Sequence, residues 1–321
     1  MKRAALITVT LALFLGGCAA APPSSVPVSP VAHAALDQTM AEAIIADTFT
    51  VLATADAGSD SEALAPRIGG DAALVRSAQY AVAAAVSDDP PTELPAEIQR
   101  IYVSNATTWP RVLVAVSEAP EGLTPVVYVW VQDGVDTPYQ LRGWAHMIPG
   151  ATIPAMPGDS DGATQLPLGE SGVDPSPRAA LEGYLEYLRQ GPTSDSAALY
   201  GADSYAPELF AARDTLTAAA AQANGAYVDT VQPDLSNTFV LATGDGGALV
   251  IAPIQIASSI SVSGATLSLS AHDAPLLSGT ITTQATYTYR DLVVMSVPAP
   301  GLGLLPTVVA AEHHLVSVKP E

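Results

Sequence analysis

One stretch limits what the rest of the chain can fold into: PGATIPAMPGDSDGATQLPLGESGVDPSP, from Pro149 to Pro177, dense in proline, glycine, aspartate and serine. Proline removes a backbone donor and glycine is costly to order, so no helix and no central strand runs through such a segment. The 321 residues are therefore read as two halves, each of ordinary domain size. The single cysteine, Cys18, permits neither an internal disulfide nor a cysteine-based metal site, which leaves hydrophobic burial to hold the fold.

Both halves show helical spacing first and strand alternation afterwards. In the first, Met40, Ile44, Ile45, Phe49 and Leu52 recur at helical intervals, and a second helix is predicted over Asp71 to Val86. QRIYVS, RVLVAVS, VVYVWVQ and YQLRGWAHMI then read as strands. In the second, Leu181, Tyr184, Leu185 and Leu188 form a helical stripe, and Pro207 opens a helix predicted to stop at Asn224-Gly225. Strands are expected at TFVLAT, ALVIAPIQIAS, ATLSLSA, GTITTQATYTYRDLVVMSV and TVVAAEHHLVSV. Aligning Val112 with Leu249 gives an offset of 249 − 112 = 137 residues, and the same offset carries Met40 onto Pro177. That shared spacing suggests a duplication. The expected fold class is α+β: two duplicated domains, 37–150 and 177–321, joined by a linker over 151–176, each with N-terminal helices packed on a curved antiparallel sheet.

The first residues read as an address. Lys2 and Arg3 precede an apolar run, Ala4 to Leu15, that is too short to span a bilayer, which takes roughly 20 residues. Leu15-Gly16-Gly17-Cys18 resembles the bacterial lipobox, in which the cysteine thiol receives a diacylglycerol. Residues 1–17 are thus expected to be a lipoprotein signal peptide, Cys18 the lipid attachment point, and 18–36 a tether rich in proline, serine and alanine. The expected location is the extracytoplasmic face of the cell membrane, lipid-anchored. With 32 acidic against 12 basic residues the formal charge is −20, which repels phosphate backbones and argues against nucleic-acid binding.

With the lipobox and the repeated helix-then-strand order in view, residues 37–321 resemble the tandem nuclear transport factor two-like lipoproteins of Gram-positive actinobacteria, a family of unknown function. The resemblance implies two cone-shaped α+β domains. Members of that fold include isomerases, dehydratases and plain binding modules, so it implies no single activity.

Motifs with catalytic overtones are few. Gly158-Asp159-Ser160-Asp161-Gly162 matches G-x-S-x-G, with Asp273 and His313 following, but a nucleophile elbow needs a strand before the serine and a helix after it. Flanking prolines make this stretch a loop. No phosphate loop, dinucleotide fingerprint or metal signature occurs, and no cofactor is expected. Two strand faces remain. If Val127, Val129 and Val131 share a core face with Leu141, Ala145 and Met147, the opposite face carries Tyr128, Trp130, Arg142, Trp144 and His146. Such a face could bind a ligand by stacking and by Arg142 over an indole, or simply pack under the helices. In AAEHHLVSV, alternation puts Glu312 beside His314, a candidate acid–base pair, and His313 opposite. The expected function is non-catalytic: a lipid-anchored envelope module that binds a protein or an apolar small ligand. The alternatives are an isomerase- or dehydratase-like enzyme using Trp144 and His146 or Glu312 and His314, and a structural envelope scaffold.

Overall fold

A computed structural model describes residues 33–169 and 171–320. Cys18, the signal segment and residues 18–32 of the tether lie outside the described residues. Helix α1 (Gln38–Gly58) starts where Asp37 accepts from the Met40 N–H at 2.8 Å and stops at Ser59, which adopts a left-handed conformation. Helix α2 (Gly70–Ala85) is clamped to it by Arg76, whose guanidinium pairs with Asp56 and donates to the Thr92 carbonyl, while the Tyr80 hydroxyl donates to Asp56 at 2.6 Å. Four strands follow as an antiparallel meander, β1 (Ile98–Val103), β2 (Arg111–Ser117), β3 (Val126–Gln132) and β4 (Gln140–His146).

The second half repeats that order. Helix α3 (Pro177–Gln190) is capped by Ser176, and α4 (Tyr205–Gln222) ends before Asn224, which has positive φ. Strands β5 (Ala226–Pro233) and β6 (Phe239–Ala242) pair with successive parts of β7 (Ala248–Ser261), so together they act as one interrupted strand. The sheet continues through β8 (Gln284–Val297) to β9 (Thr307–Pro320). The fold is thus α+β, with two antiparallel sheets of four and five strands. ATLSLSA forms no strand. It lies in the long β7–β8 connection, where Leu267 makes one backbone bond to Thr282 and no ladder forms.

Packing explains the unbroken apolar runs of β2 and β3, in which nearly every residue is buried. One face of the first sheet holds Leu113, Ala115, Tyr128, Trp130, Leu141 and Trp144 against α1 and α2. Its other face, Val112, Val114, Val116, Val127, Val129 and Val131, meets Leu241, Leu249, Ile251 and Val294 of the second sheet. The outer face of that sheet is covered by Leu181, Leu185, Leu188 and Phe210 of α3 and α4. Four layers result, helices–sheet–sheet–helices, and residues from 32 onward pack as one body.

The β3–β4 register departs from the expected alternation. A bulge between Val129 and Trp130 sets Trp130 opposite Leu141 and Val129 opposite Gly143, leaving Arg142 as the extra residue. Leu141 therefore joins the aromatic face instead of the valine face, and the Arg142 guanidinium pairs with Asp133. Gly143 takes the inner position, where a Cβ would stand 3.2 Å from Leu292 of the other sheet.

The proline- and glycine-rich segment is a strap stitched into both halves. Ala163 is buried and pairs with Ser104 beside β1, and Gln165 pairs with Leu241 of β6. Gly162 has φ +69°, and a Cβ there would lie 2.7 Å from the Ala34 Cα, so glycine lets the incoming chain cross the strap.

Trp109, Trp130 and Trp144 all lie in the first half, so tryptophan fluorescence reports that half. Leu249→Ala, in the second half, is expected to lower the stability read by this signal by about 2–5 kcal/mol, because a fully buried leucine is lost from the shared layer. An unmoved tryptophan transition in urea would show that the two sheets unfold independently.

Candidate functional site

Two candidates distant in sequence meet where the sheets touch edge to edge. Met147 pairs with Ala310, and the Ile148 N–H donates to the Val309 carbonyl at 2.9 Å, which brings the end of β4 against β9. Glu312 Oε2 lies 2.8 Å from His146 Nδ1 and accepts from the His146 backbone N–H at 3.2 Å. Its Oε1 lies 3.2 Å from His314 Nε2, close in distance but without hydrogen-bond geometry, and the His314 ring meets Trp144 edge to face at 5.6 Å. Trp144, His146, Glu312 and His314 thus form one cluster.

The other residues of the hairpin face do not join it. Tyr128 and Trp130 are fully buried under the helices, with the Tyr128 hydroxyl donating to the Pro95 carbonyl at 2.8 Å and the Trp130 indole N–H to Thr48 Oγ1 at 3.0 Å. Phe49 stands edge-on to Tyr128. These rings pack between the helices and the central strands of this sheet.

Glu312 gives its two neighbours opposite characters. Its hydrogen bond raises the pKa of His146 above the ordinary imidazole value, against some burial. Burial lowers that of His314, which overrides the attraction of the same carboxylate. One carboxylate thus lies beside an imidazole that is easier to protonate than usual and one that is harder.

On the other face of β9 lies a second network that has no local signature in the sequence. His313 Nδ1 lies 2.7 Å from Asp291 Oδ2, the Tyr205 hydroxyl donates to the same oxygen at 2.5 Å, and the His313 ring stacks on Tyr289 at 4.0 Å. Burial, then the neighbouring carboxylate, pushes the Tyr205 phenol far up, so it stays a donor. Alternation does place His313 opposite Glu312, but its partner comes from β8, whose register with β9 carries two bulges.

Between these networks lies a cavity of about 20 Å³, bordered by Asp71, Arg142, Trp144, Arg290, Asp291 and His314. Five of these residues carry buried polar atoms without hydrogen-bond partners: Arg142 Nε, Trp144 Nε1, Arg290 Nε, Asp291 Oδ1 and His314 Nε2. A water needs about 10–15 Å³, so the volume suits water. Burial raises the Asp71 carboxyl, with Arg290, 3.6 Å away, opposing. Among the described residues no group of three or more His, Cys, Asp or Glu side chains is placed to hold a metal ion.

A concavity of ligand size lies elsewhere. A trough of about 1070 Å³ runs between the outer flank of α1 and the edge strand β1, lined by Ile45, Ala46, Phe49, Ala53, Ile98 and Ile101 with Glu42 at one end. The amphipathic spacing of α1 signals its inner face, and nothing in that pattern marks the small residues Ala46, Ala53 and Ala57 as a channel wall.

The His146–Glu312 pair has a definite pH signature. A raised imidazole pKa stabilises the fold fully below the unfolded value, near 6.5, and this contribution disappears as pH rises through the folded value. The stability gap between the native chain and His146→Gln, measured by urea unfolding, should therefore be larger at about pH 6 than at about pH 9. A gap that stays constant across that window would mean the pair contributes nothing.

No curated protein and no solved structure matches the chain. A family model does, over residues 32–314, which takes in both halves, the strap and the whole of the junction cluster. The chain belongs to the family described as a domain of unknown function (DUF8094).

Proposed function

We propose that the protein is a lipid-anchored extracytoplasmic envelope protein that acts by binding, with the trough between α1 and β1 as its binding surface. The observation that carries this reading is the contrast between the two concavities. The one beside the titratable cluster has room for water, whereas the trough has the volume and the apolar lining of a ligand site. A surface of charge −20 disfavours anionic occupants, so the occupant is apolar and neutral or basic. The lipobox-like Leu15-Gly16-Gly17-Cys18 supports the anchor, and the described chain enters the body beside β1, where the Ala35 N–H donates to the Ser104 carbonyl at 2.9 Å.

We also infer that the two halves are duplicates of one α+β unit of the nuclear transport factor two-like kind. The support is their shared order, two helices and then a strand meander, once β5 and β6 are counted as one interrupted strand. A second reading, an isomerase- or dehydratase-like enzyme, draws on the opposed imidazoles of His146 and His314, and it requires the junction cavity to open.

Cys18→Ala should move the protein from the membrane fraction to the soluble one, and retention would place the anchor elsewhere. Saturable binding of a neutral solvatochromic dye should weaken at least tenfold in Ala53→Trp, which fills the trough from an exposed helix position. Equal binding by both proteins would remove the trough from consideration, and loss of dye binding in His146→Gln instead would favour the enzyme reading.

A further inference from the structure

Strand β1 is the outer edge of the first sheet and pairs only with β2. Its far end is closed by the strap, where the Ala163 N–H donates to the Val103 carbonyl at 2.8 Å. Because successive residues of a strand present their backbone groups to alternate sides, the N–H and C=O of Ile101 face the same side as that carbonyl. Among the described residues no backbone group pairs with Ile101 there. A slot of about 210 Å³ follows the whole of β1, walled by Leu36, Gln38 and Glu42 on one side and by residues 156–159 on the other. The slot and the apolar trough share Glu42, Ile98 and Ile101, so they are two faces of one edge.

We propose that β1 accepts an extended segment of a partner protein as an additional strand, with apolar residues at every second position and neutral or basic residues between them. A strand lying about 4.8 Å from β1 would occupy the slot, bond to the backbone of Ile101, and turn alternate side chains into the trough beside Phe49 and Ala53. The proposal rests on the trough being the binding surface and adds the class of occupant. The chain's own tether is a poor occupant, since Pro22, Pro23, Pro27 and Pro30 lack the N–H that pairing needs. A second copy is disfavoured by charge, each copy carrying −20, and by Arg100 on the edge itself. Exposed Glu42 and Asp159, on opposite walls of the slot, instead favour lysine or arginine in the occupant. The bulge between Ile98 and Arg100 shortens the usable edge, so backbone pairing is brief and side chains in the trough supply much of the affinity.

The test uses the chain with Cys18→Ala and a panel of eight-residue synthetic peptides with Val, Ile or Phe at every second position and Thr or Lys between. Binding is measured by calorimetry and by displacement of the neutral dye. Members of the panel should bind and displace the dye. N-methylation of the residues whose N–H groups face β1 should weaken binding at least tenfold, whereas methylation of the intervening residues should leave it within about twofold. Glu42→Lys with Asp159→Lys should weaken the lysine-containing peptides several-fold. Equal sensitivity in both methylation registers, or a panel that never binds while the dye still does, overturns strand addition and leaves the trough reading standing. Loss of both peptide and dye binding overturns the trough itself. A protein dimer that the peptides dissociate would assign the edge to a second copy and overturn the partner assignment.

Discussion

The layer of branched aliphatic side chains between the two sheets is the constraint on which the rest of the structure depends. Val112, Val114, Val116, Val127, Val129 and Val131 come from one half and Leu241, Leu249, Ile251 and Val294 from the other, so neither sheet can bury its inner face without its counterpart. Sheets stacked about 10 Å apart leave room for one interdigitated layer and little else. This explains why the helices lie on the two outer faces. It also explains why polar groups are squeezed to the rim, where β4 meets β9.

At that rim the chain concentrates charge that it keeps from most of its interior. Glu312 spans two imidazoles, Asp291 holds His313 and Tyr205, and Arg290 approaches Asp71. Buried pairs of this kind cost desolvation that their attraction only partly offsets, so their value lies more in fixing which edge meets which than in raw stability. The unpartnered atoms around the small cavity fit the same picture. Donors from Trp144, Arg142 and Arg290 and an acceptor from Asp291 can be satisfied by enclosed water.

Much of this architecture was legible in the sequence, and the exceptions have physical causes. The helical stripes of α1 and α3, the strand runs of β2, β3 and β7 and the stop at Asn224-Gly225 follow from local periodicity and backbone preference. Alternation alone also puts Glu312 beside His314. Hidden from it were the bulge that shifts the register at Arg142, since a bulge leaves no compositional trace, and the meeting of His146 with Glu312, which requires the two sheets to touch. The Asp291–His313–Tyr205 network joins three elements and has no local signature. Similarly, the trough is built from alanines that read as helix filler until β1 is set beside them.

The strap also bears on how such a chain reaches its native state. During synthesis β1 to β4 emerge first, with the valine face of the sheet open to water. Ala163 then closes the end of β1, but Gln165 must wait for Leu241. The first half therefore stays incomplete, and prone to stick to other chains, until most of the second has been made. A fold whose two halves share one buried layer hides its apolar faces only when both halves have been made.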